Sequence, residues 1–339
     1  MKNLKYLIKP VIYVLAGGIL GFFLFKVTDF HNIKTPFTSD PVKLQDVREG
    51  QGRFTNPLLE CGQNGQNVFS ELVPFKMKIE SLINSQQEKD GINHISVYFR
   101  DLNNGPWFGI DEQTVFAPAS LLKVPLAIAY YKLAEQDPGI LKKVIVFADP
   151  NDSSGVVQSV KPKENLELGK SYEVEDLIRR MLVYSDNHSY SILFKNLKPD
   201  EIKRVYKDFG FNLDSLGRTD EIATVQSYSA FLRILYNASY LNQTDSEKVL
   251  GMLSESDFKN GLPAGVPDSV VVAHKFGERG SANSSEKQFS DCGIVYYPNH
   301  PYLMCINVKG SNFENQINAI KEVSTAVYEE FSSQLGETK

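Results

Sequence analysis

The sequence contains little cysteine and histidine, with three Cys and five His among its 339 residues. None of the cysteines has the close Cys or His spacing of a structural zinc site. The sequence also lacks a long basic run, and 36 Lys and Arg against 41 Asp and Glu give a formal net charge of −5. This balance argues against a nucleic-acid surface. We therefore predict no metal, no cofactor and no nucleic-acid partner.

The composition is that of an ordinary globular protein, with 42% hydrophobic and 23% charged residues. These values exclude wholesale disorder and a polytopic membrane protein. The length is sufficient for a targeting segment together with one large domain or two smaller ones.

One long apolar run stands near the N-terminus, where residues 11–25 carry no charge. Lys2, Lys5 and Lys9 precede it, which by the positive-inside rule places the N-terminus in the cytoplasm. A cleavable signal peptide is the alternative, but residues 21–26 offer no small-x-small cleavage site. We predict a membrane anchor over residues 1–27 and a catalytic domain outside the cytoplasm.

Residues 28–70 are rich in Pro, Gly, Asn, Gln and Thr and show no sustained periodicity. Such a segment is typical of a flexible linker, and we predict that the domain covers residues 71–339. Cys292 and Cys305 lie on runs that flank residues 297–301, a probable hairpin. A disulfide and two buried free thiols are both compatible with this placement.

Hydrophobic periodicity predicts a domain of the α/β (α+β) class, with strands at both ends of a helical middle. A first helix and a hairpin precede the middle region, and three strands and a final helix follow it. The expected helices cover residues 74–87, 123–136, 174–185, 188–197, 199–210, 225–241 and 312–335, and the expected strands cover 94–102, 105–110, 269–277, 292–298 and 302–310. One antiparallel sheet with an inserted helical lobe accounts for this order.

Ser120 and Lys123 lie three residues apart at a predicted helix start, and therefore on the same face of the helix. A serine hydroxyl becomes a good nucleophile when a neighbouring base accepts its proton, and a desolvated lysine can be neutral enough to do so. The pair alone is a weak signal, since Ser120 could be a helix cap and Lys123 a solvated side chain.

Two further motifs follow in order, Ser185-Asp186-Asn187 at a break between helices and Lys275-Phe276-Gly277 at the end of an apolar run. With S-x-x-K they form the ordered set of the class A β-lactamases and penicillin-binding proteins. Over about residues 71–336 the chain resembles this family of serine hydrolases. The resemblance implies a five-stranded antiparallel sheet flanked by helices, with an all-helical lobe.

The resemblance also implies roles for the residues of the first two motifs. Ser120 would be the acylated nucleophile and Lys123 its base or proton shuttle. Ser185 would pass a proton to the leaving nitrogen, and Asn187 would hold the substrate amide.

On the third motif, the resemblance implies that Lys275 supplies positive potential and that Gly277 allows close approach of the substrate backbone. The backbone N–H groups of Ser120 and Glu278 would form the oxyanion hole.

The chain departs from the family pattern at two places. The E-x-x-[LI]-N motif, which holds the deacylating water in class A enzymes, is missing, and Glu221 is the best-placed acid between residues 210 and 227. Phe276 replaces the Thr or Ser that contacts the β-lactam carboxylate, and the next strand, Ser290 to Gly293, offers no arginine, although Arg279 could reach it. We expect His274 to pack rather than to tune Lys275.

Three hypotheses follow from these residues. The first is a membrane-anchored β-lactamase-type hydrolase, and the second is a D-Ala-D-Ala carboxypeptidase or transpeptidase acting on peptidoglycan stem peptides. The third is a non-catalytic cell-surface binding module. The retention of Ser120, Lys123, Ser185, Asn187 and Lys275 together disfavours it.

Overall fold

The computed structural model describes residues 47–48, 52–60, 72–87, 91–103, 105–149, 159–209, 211, 221–280 and 285–336. The predicted membrane segment, residues 1–27, lies outside this part of the chain. Within the described part, no helix is both long and apolar enough to cross a membrane.

The elements expected from the sequence occur in the expected order, together with four short strands and two helices that were not expected. The strands are β1 (Val47–Arg48), β2 (Leu58–Glu60), β3 (Ile92–Asp101), β4 (Trp107–Ile110), β5 (Val144–Val146), β6 (Ser171–Glu173), β7 (Val272–Gly280), β8 (Lys287–Val295) and β9 (Tyr302–Gly310). The helices are α1 (Leu72–Gln87), α2 (Lys123–Ala134), α3 (Gly139–Lys142), α4 (Val174–Val183), α5 (Asn187–Asn196), α6 (Pro199–Asp208), α7 (Val225–Tyr236), α8 (Gln243–Ser254) and α9 (Phe313–Gln334). Two 3₁₀ turns cover Ala119–Leu122 and Leu262–Gly265.

Five strands form one antiparallel sheet in the order β4-β3-β9-β8-β7. The prediction of a five-stranded antiparallel sheet flanked by helices is therefore confirmed. The short pair β5 and β6 interrupts the region that we expected to be helical. Three-residue strands are too short to give a periodic signal, so the sequence pattern did not show them.

Helices cover both faces of the sheet, which explains why β8 and β9 are buried almost throughout. On one face, α1 and α9 pack on alternate strand residues that include Val97, Phe99 and Met304. On the other face, the helical lobe packs on the intervening residues, among them Tyr98 and Leu303. The sheet is thus the common wall of two hydrophobic cores.

Part of the range predicted as a linker is packed on the domain. Phe54 and Thr55 are buried, and their backbone N–H groups donate to the Glu247 carboxylate at 3.0 and 2.8 Å. The Arg48 guanidinium donates to the backbone oxygen of Leu102 at 2.7 Å. Composition suggested a flexible segment. It could not reveal these contacts, because the partners are distant in sequence. For residues 47–48 and 52–56 the linker prediction is therefore corrected.

The two cysteines of the late strands form a disulfide. Cys292 on β8 lies directly opposite Cys305 on β9, and a disulfide joins them. Of the two alternatives that the sequence left open, the structure has the disulfide. Cys292 of this disulfide is paired with Lys275 on the neighbouring strand β7.

Candidate active site

Ser120 lies on the 3₁₀ turn that leads directly into α2, as the sequence predicted. The turn begins at Ala119, whose φ of 48° is in the left-handed region. For a residue with a Cβ this conformation costs on the order of 1–3 kcal/mol and persists only where the surroundings enforce it. The chain thus bends sharply just before Ser120, and the Ser120 side chain stays partly exposed.

Side chains from two distant elements hold this turn in place. The Gln288 amide on β8 donates to Ala117 O at 2.6 Å and accepts from Ala117 N at 3.3 Å. The Tyr228 hydroxyl on α7 donates to Leu121 O at 2.9 Å. Sequence analysis missed both residues, because no local motif marks a side chain that supports a backbone far away in sequence.

Gly277 lets β7 contact the turn that carries Ser120. A Cβ at this position would lie 2.7 Å from Pro118 O and 3.1 Å from Leu121 Cγ. The first distance is shorter than real Cβ contacts, so a larger residue would push the strand and the turn apart. The structure therefore gives Gly277 a packing role within the chain, beside the substrate approach that the resemblance implies.

The Lys123 side chain is 2% exposed, and its amine contacts four oxygens. Nζ lies 2.6 Å from Ser185 O, 2.7 Å from Asn187 Oδ1, 3.0 Å from Ser185 Oγ and 3.1 Å from Ser120 Oγ. The carbonyl oxygens of Ser185 and Asn187 can only accept hydrogen bonds. In a neutral amine these two oxygens would take both N–H donors, which leaves the single lone pair to accept a proton from one of the hydroxyls.

Burial lowers the pKa of Lys123 from 10.5 to about 7, against the opposing effect of the Asp186 and Glu278 carboxylates. A lysine with a pKa near neutrality is deprotonated in a large fraction of molecules at physiological pH. Lys123 can therefore accept the Ser120 proton, as the role of general base requires.

Ser185 connects Lys123 to Lys275. Its φ of 55° is left-handed, and both its backbone oxygen and its hydroxyl face the Lys123 amine. The fully buried Lys275 donates to Ser185 Oγ at 2.9 Å and to Phe276 O at 2.9 Å. Burial, followed by the nearby Lys123 charge, lowers the pKa of Lys275 well below 10.5.

The middle residue of the second motif fixes the local backbone. The Asp186 carboxylate caps α5 by accepting from His188 N at 3.2 Å and Ser189 N at 2.9 Å. Asn187 begins that helix and accepts from Lys123. The same tripeptide therefore caps a helix and contributes two residues to the site.

Glu221 is placed differently from the other candidates. Its carboxylate accepts from Lys309 Nζ on β9 at 2.6 Å, and the following residues Ile222 and Ala223 bond to Phe116 O. The carboxylates that act on the pKa of Lys123 are Asp186 and Glu278. The structure thus assembles the three motifs around Ser120 but gives Glu221 an ion pair with Lys309.

Phe276 of the third motif and His274, which precedes the motif, are both buried in the domain. Phe276 is buried against Phe258 and Phe289, with ring centroids 4.5 and 5.8 Å apart. The His274 Nδ1 lies 2.8 Å from Asp291 Oδ1, and both side chains are fully buried. His274 therefore packs, as expected, and it does so with a carboxylate partner that the sequence did not reveal.

Glu278 contributes more than the backbone N–H that the resemblance implies. Its carboxylate accepts from the backbone N–H groups of Ser159 and Val160 at 3.0 and 3.2 Å. Sequence reasoning missed this contact, because residues 159 and 278 are far apart in the chain.

A serine hydroxyl, a buried amine with a lowered pKa and a second hydroxyl between two lysines are groups of the kind that nucleophilic catalysis by a serine requires. With the sheet and helical lobe described above, they define a serine hydrolase-like enzyme. The chain belongs to the beta-lactamase enzyme family, whose model matches residues 74–331.

Solved structures of this type share the fold. A class A beta-lactamase from Mycobacterium abscessus is 21% identical with a TM-score of 0.64, covering 76% of this chain and 100% of the other. A beta-lactamase from Chitinophaga pinensis is 18% identical with a TM-score of 0.66, covering 76% and 99%. PBP-A is 18% identical with a TM-score of 0.64, covering 76% and 96%. A search of the curated proteins found no match.

Replacing Gly277 tests its packing role. We expect Gly277→Ala to lower the free energy of unfolding by about 1–3 kcal/mol, because the added methyl group overpacks the contact with Pro118. Denaturant unfolding measures the change. Gly251→Ala is the control, since its methyl group would meet Phe54 at an ordinary 3.6 Å. Unchanged stability combined with a lost reaction at Ser120 would instead favour a role in substrate approach alone.

The reactivity of Ser120 should follow the protonation of Lys123. With a Lys123 pKa of about 7, the neutral amine is the minor form below this pH and the major form above it. Labelling of Ser120 by a fluorophosphonate should rise about tenfold between about pH 6 and about pH 8. Intact-protein mass spectrometry at timed points measures the rate. Lys123→Arg, which stays protonated, should show no such rise, and a flat wild-type profile would contradict the assignment of Lys123 as the base.

Proposed function

We propose that this protein is a serine hydrolase that cleaves amide bonds through an acyl-enzyme at Ser120, with β-lactams as one class of substrate. The observation that carries the proposal is the Lys123 amine, which donates to Ser185 O and Asn187 Oδ1 at 2.6 and 2.7 Å and lies 3.1 Å from Ser120 Oγ. An amine held at this distance is positioned to exchange a proton with Ser120.

In the proposed acylation, Ser120 Oγ bonds to the amide carbonyl carbon while its proton moves to Lys123. The backbone N–H groups of Ser120 and Glu278 would stabilise the oxyanion. The carbon–nitrogen bond then breaks, and the leaving nitrogen takes the proton of the Ser185 hydroxyl. Lys123 returns its proton to Ser185 across their 3.0 Å contact. The products are an acyl-serine ester and a neutral amine.

Deacylation requires water to attack this ester, with a base that accepts a proton from the water. Glu221 was the candidate for this step, but its carboxylate accepts from Lys309 at 2.6 Å. A carboxylate that already accepts from a lysine has less capacity to hold and orient the attacking water. We therefore propose that hydrolysis of the acyl-enzyme is slow.

A slow release step supports a second candidate function, a carboxypeptidase or transpeptidase acting on peptidoglycan stem peptides. A mutant of PBP-A, 18% identical to this chain over 76% of its length with a TM-score of 0.64, was solved as an acyl-enzyme complex with penicillin G. Release of D-Ala from an acyl-D-Ala-D-Ala peptide would distinguish this function from β-lactam hydrolysis.

A non-catalytic binding module is the least supported alternative. Lys123 and Lys275 are 2% and 0% exposed, and burial of an amine is unfavourable unless hydrogen bonds compensate for it. A scaffold would be more stable with apolar residues at both positions. Their presence around Ser120 therefore supports a chemical function.

We also propose that residues 1–27 anchor the protein in the membrane, with the catalytic domain outside the cytoplasm. The support is the uncharged run of residues 11–25 and the preceding lysines. Cells expressing the whole chain should retain it in the membrane fraction after a high-salt wash. A variant that lacks residues 1–27 is the control, and recovery of the whole chain in the soluble fraction would contradict the anchor.

Exposure to penicillin G tests the acyl-enzyme directly. We expect the intact mass to increase by one penicillin, and this adduct should persist because deacylation is slow. Ser120→Ala should show no adduct. Glu221→Gln should retain the wild-type lifetime of the adduct, since its ion pair with Lys309 removes it from the release step. A lifetime at least tenfold longer in Glu221→Gln would show that Glu221 is the deacylating base after all.

A further inference from the structure

Glu278 places a carboxylate on the strand that lies beside Ser120. β7 is an outermost strand of the five-stranded sheet, and its Gly277 contacts the turn that carries Ser120. Successive side chains of a strand alternate between its two faces. Lys275 and Gly277 therefore share the face towards the turn, while Phe276 and Glu278 share the other face at the same edge of the sheet.

Hydrogen bonds fix the Glu278 carboxylate at this edge. It accepts from Ser159 N and Val160 N at 3.0 and 3.2 Å and also from the Ser159 hydroxyl. The side chain is 7% exposed, so solvent screens its charge only in part. These hydrogen bonds build the position of the Glu278 carboxylate into the fold.

The charge of Glu278 reaches the catalytic amines. Burial lowers the pKa of Lys123 and of Lys275, and Glu278 is among the carboxylates that oppose this lowering at both residues. A charge that acts on both amines also acts on a substrate bound at Ser120, whose Oγ lies 3.1 Å from Lys123 Nζ.

The face of β7 that carries Phe276 and Glu278 offers few hydrogen-bond donors to a substrate carboxylate. At position 276, where the resemblance leads us to expect a carboxylate-binding hydroxyl, the Phe276 ring packs on Phe258. The β8 residue opposite Glu278 is the buried Phe289. Arg279 follows Glu278 directly, so its side chain leaves β7 on the face of Lys275 and Gly277 and not on the face of Glu278. Lys275 already donates to Ser185 Oγ and Phe276 O.

We infer that Glu278 is a specificity-determining residue that disfavours acyl donors with a carboxylate beside the scissile amide and favours neutral or cationic ones, such as internal peptide amides. The inference depends on the proposed function, because it assumes that Ser120 is acylated. It names the substrate class of that site, in which the leaving group carries no free carboxylate next to the bond that breaks.

Two donors that differ in one charge test this inference. Penicillin G carries a carboxylate next to its β-lactam nitrogen, and its methyl ester has the same ring system without that charge. The readout is the ratio of their second-order rate constants for acylation of Ser120, measured by intact mass. Glu278→Gln removes the charge and keeps a hydrogen-bond acceptor for Ser159 and Val160. We expect it to raise the ratio of penicillin G to ester by about tenfold.

Matched variants separate the local charge from other effects. Glu255→Gln causes the same change in net charge at an exposed residue paired with Arg179, and it should leave the ratio at the wild-type value. Glu278→Asp retains the carboxylate and should keep the low ratio. An unchanged or lower ratio in Glu278→Gln would overturn the inference while leaving the proposed function intact. If neither donor labels Ser120 in the wild type, the inference and the proposed function both fail.

The salt dependence of the wild type provides a test that needs no variant to fold. Repulsion between Glu278 and the substrate carboxylate weakens as ionic strength rises. Added potassium chloride should therefore increase the acylation rate of penicillin G relative to that of its methyl ester. A relative decrease with salt would mean that the site attracts the carboxylate, and it would overturn the inference.

Discussion

The burial of the Lys123 amine is the constraint on which the rest of the site depends. An amine away from water must have its N–H donors satisfied, and here Ser185 O and Asn187 Oδ1 accept from it at 2.6 and 2.7 Å. The left-handed backbone at Ser185 makes one of these contacts possible. Burial also lowers the pKa of the amine to about 7, so the environment that orients Lys123 also makes it a base.

The sheet and the helical lobe meet at this amine. Lys123 begins α2 of the lobe, whereas Lys275 and Gly277 belong to β7 at the edge of the sheet. Ser185 accepts from both lysines and so connects the two parts. Gln288 on β8 and Tyr228 on α7 hold the turn of Ser120 from either side. The active site is therefore a packing interface whose geometry depends on both cores.

Residues around the site differ from the family pattern more than Ser120 and its hydrogen-bond partners do. Phe276 joins the aromatic cluster of Phe258 and Phe289, and Glu278 is bonded to Ser159 and Val160. Glu221 pairs with Lys309. Ser120, Lys123, Ser185 and Asn187 meanwhile lie within one set of hydrogen bonds. The hydrogen-bonded group around Ser120 thus keeps the residues of the family's first two motifs.

The sequence by itself was sufficient for the element order, the five-stranded sheet and the three motifs around Ser120. Periodicity reports which face of an element is buried, and the motifs are short enough to be recognised without contacts. Contacts between distant residues that no motif marks were not predictable. The packing of Phe54 and Thr55 on the domain, the support of the Ser120 turn by Gln288, and the ion pair of Glu221 all join residues far apart in the chain.

Tertiary structure alone decided two further points. Cys292 and Cys305 form a disulfide because β8 and β9 pair in the register that places them opposite each other. The carboxylate of Glu278 is held at the edge of the sheet because the chain near Ser159 passes β7 there. A sequence pattern states which residues are present, but strand register and the path of a distant segment determine which of them meet.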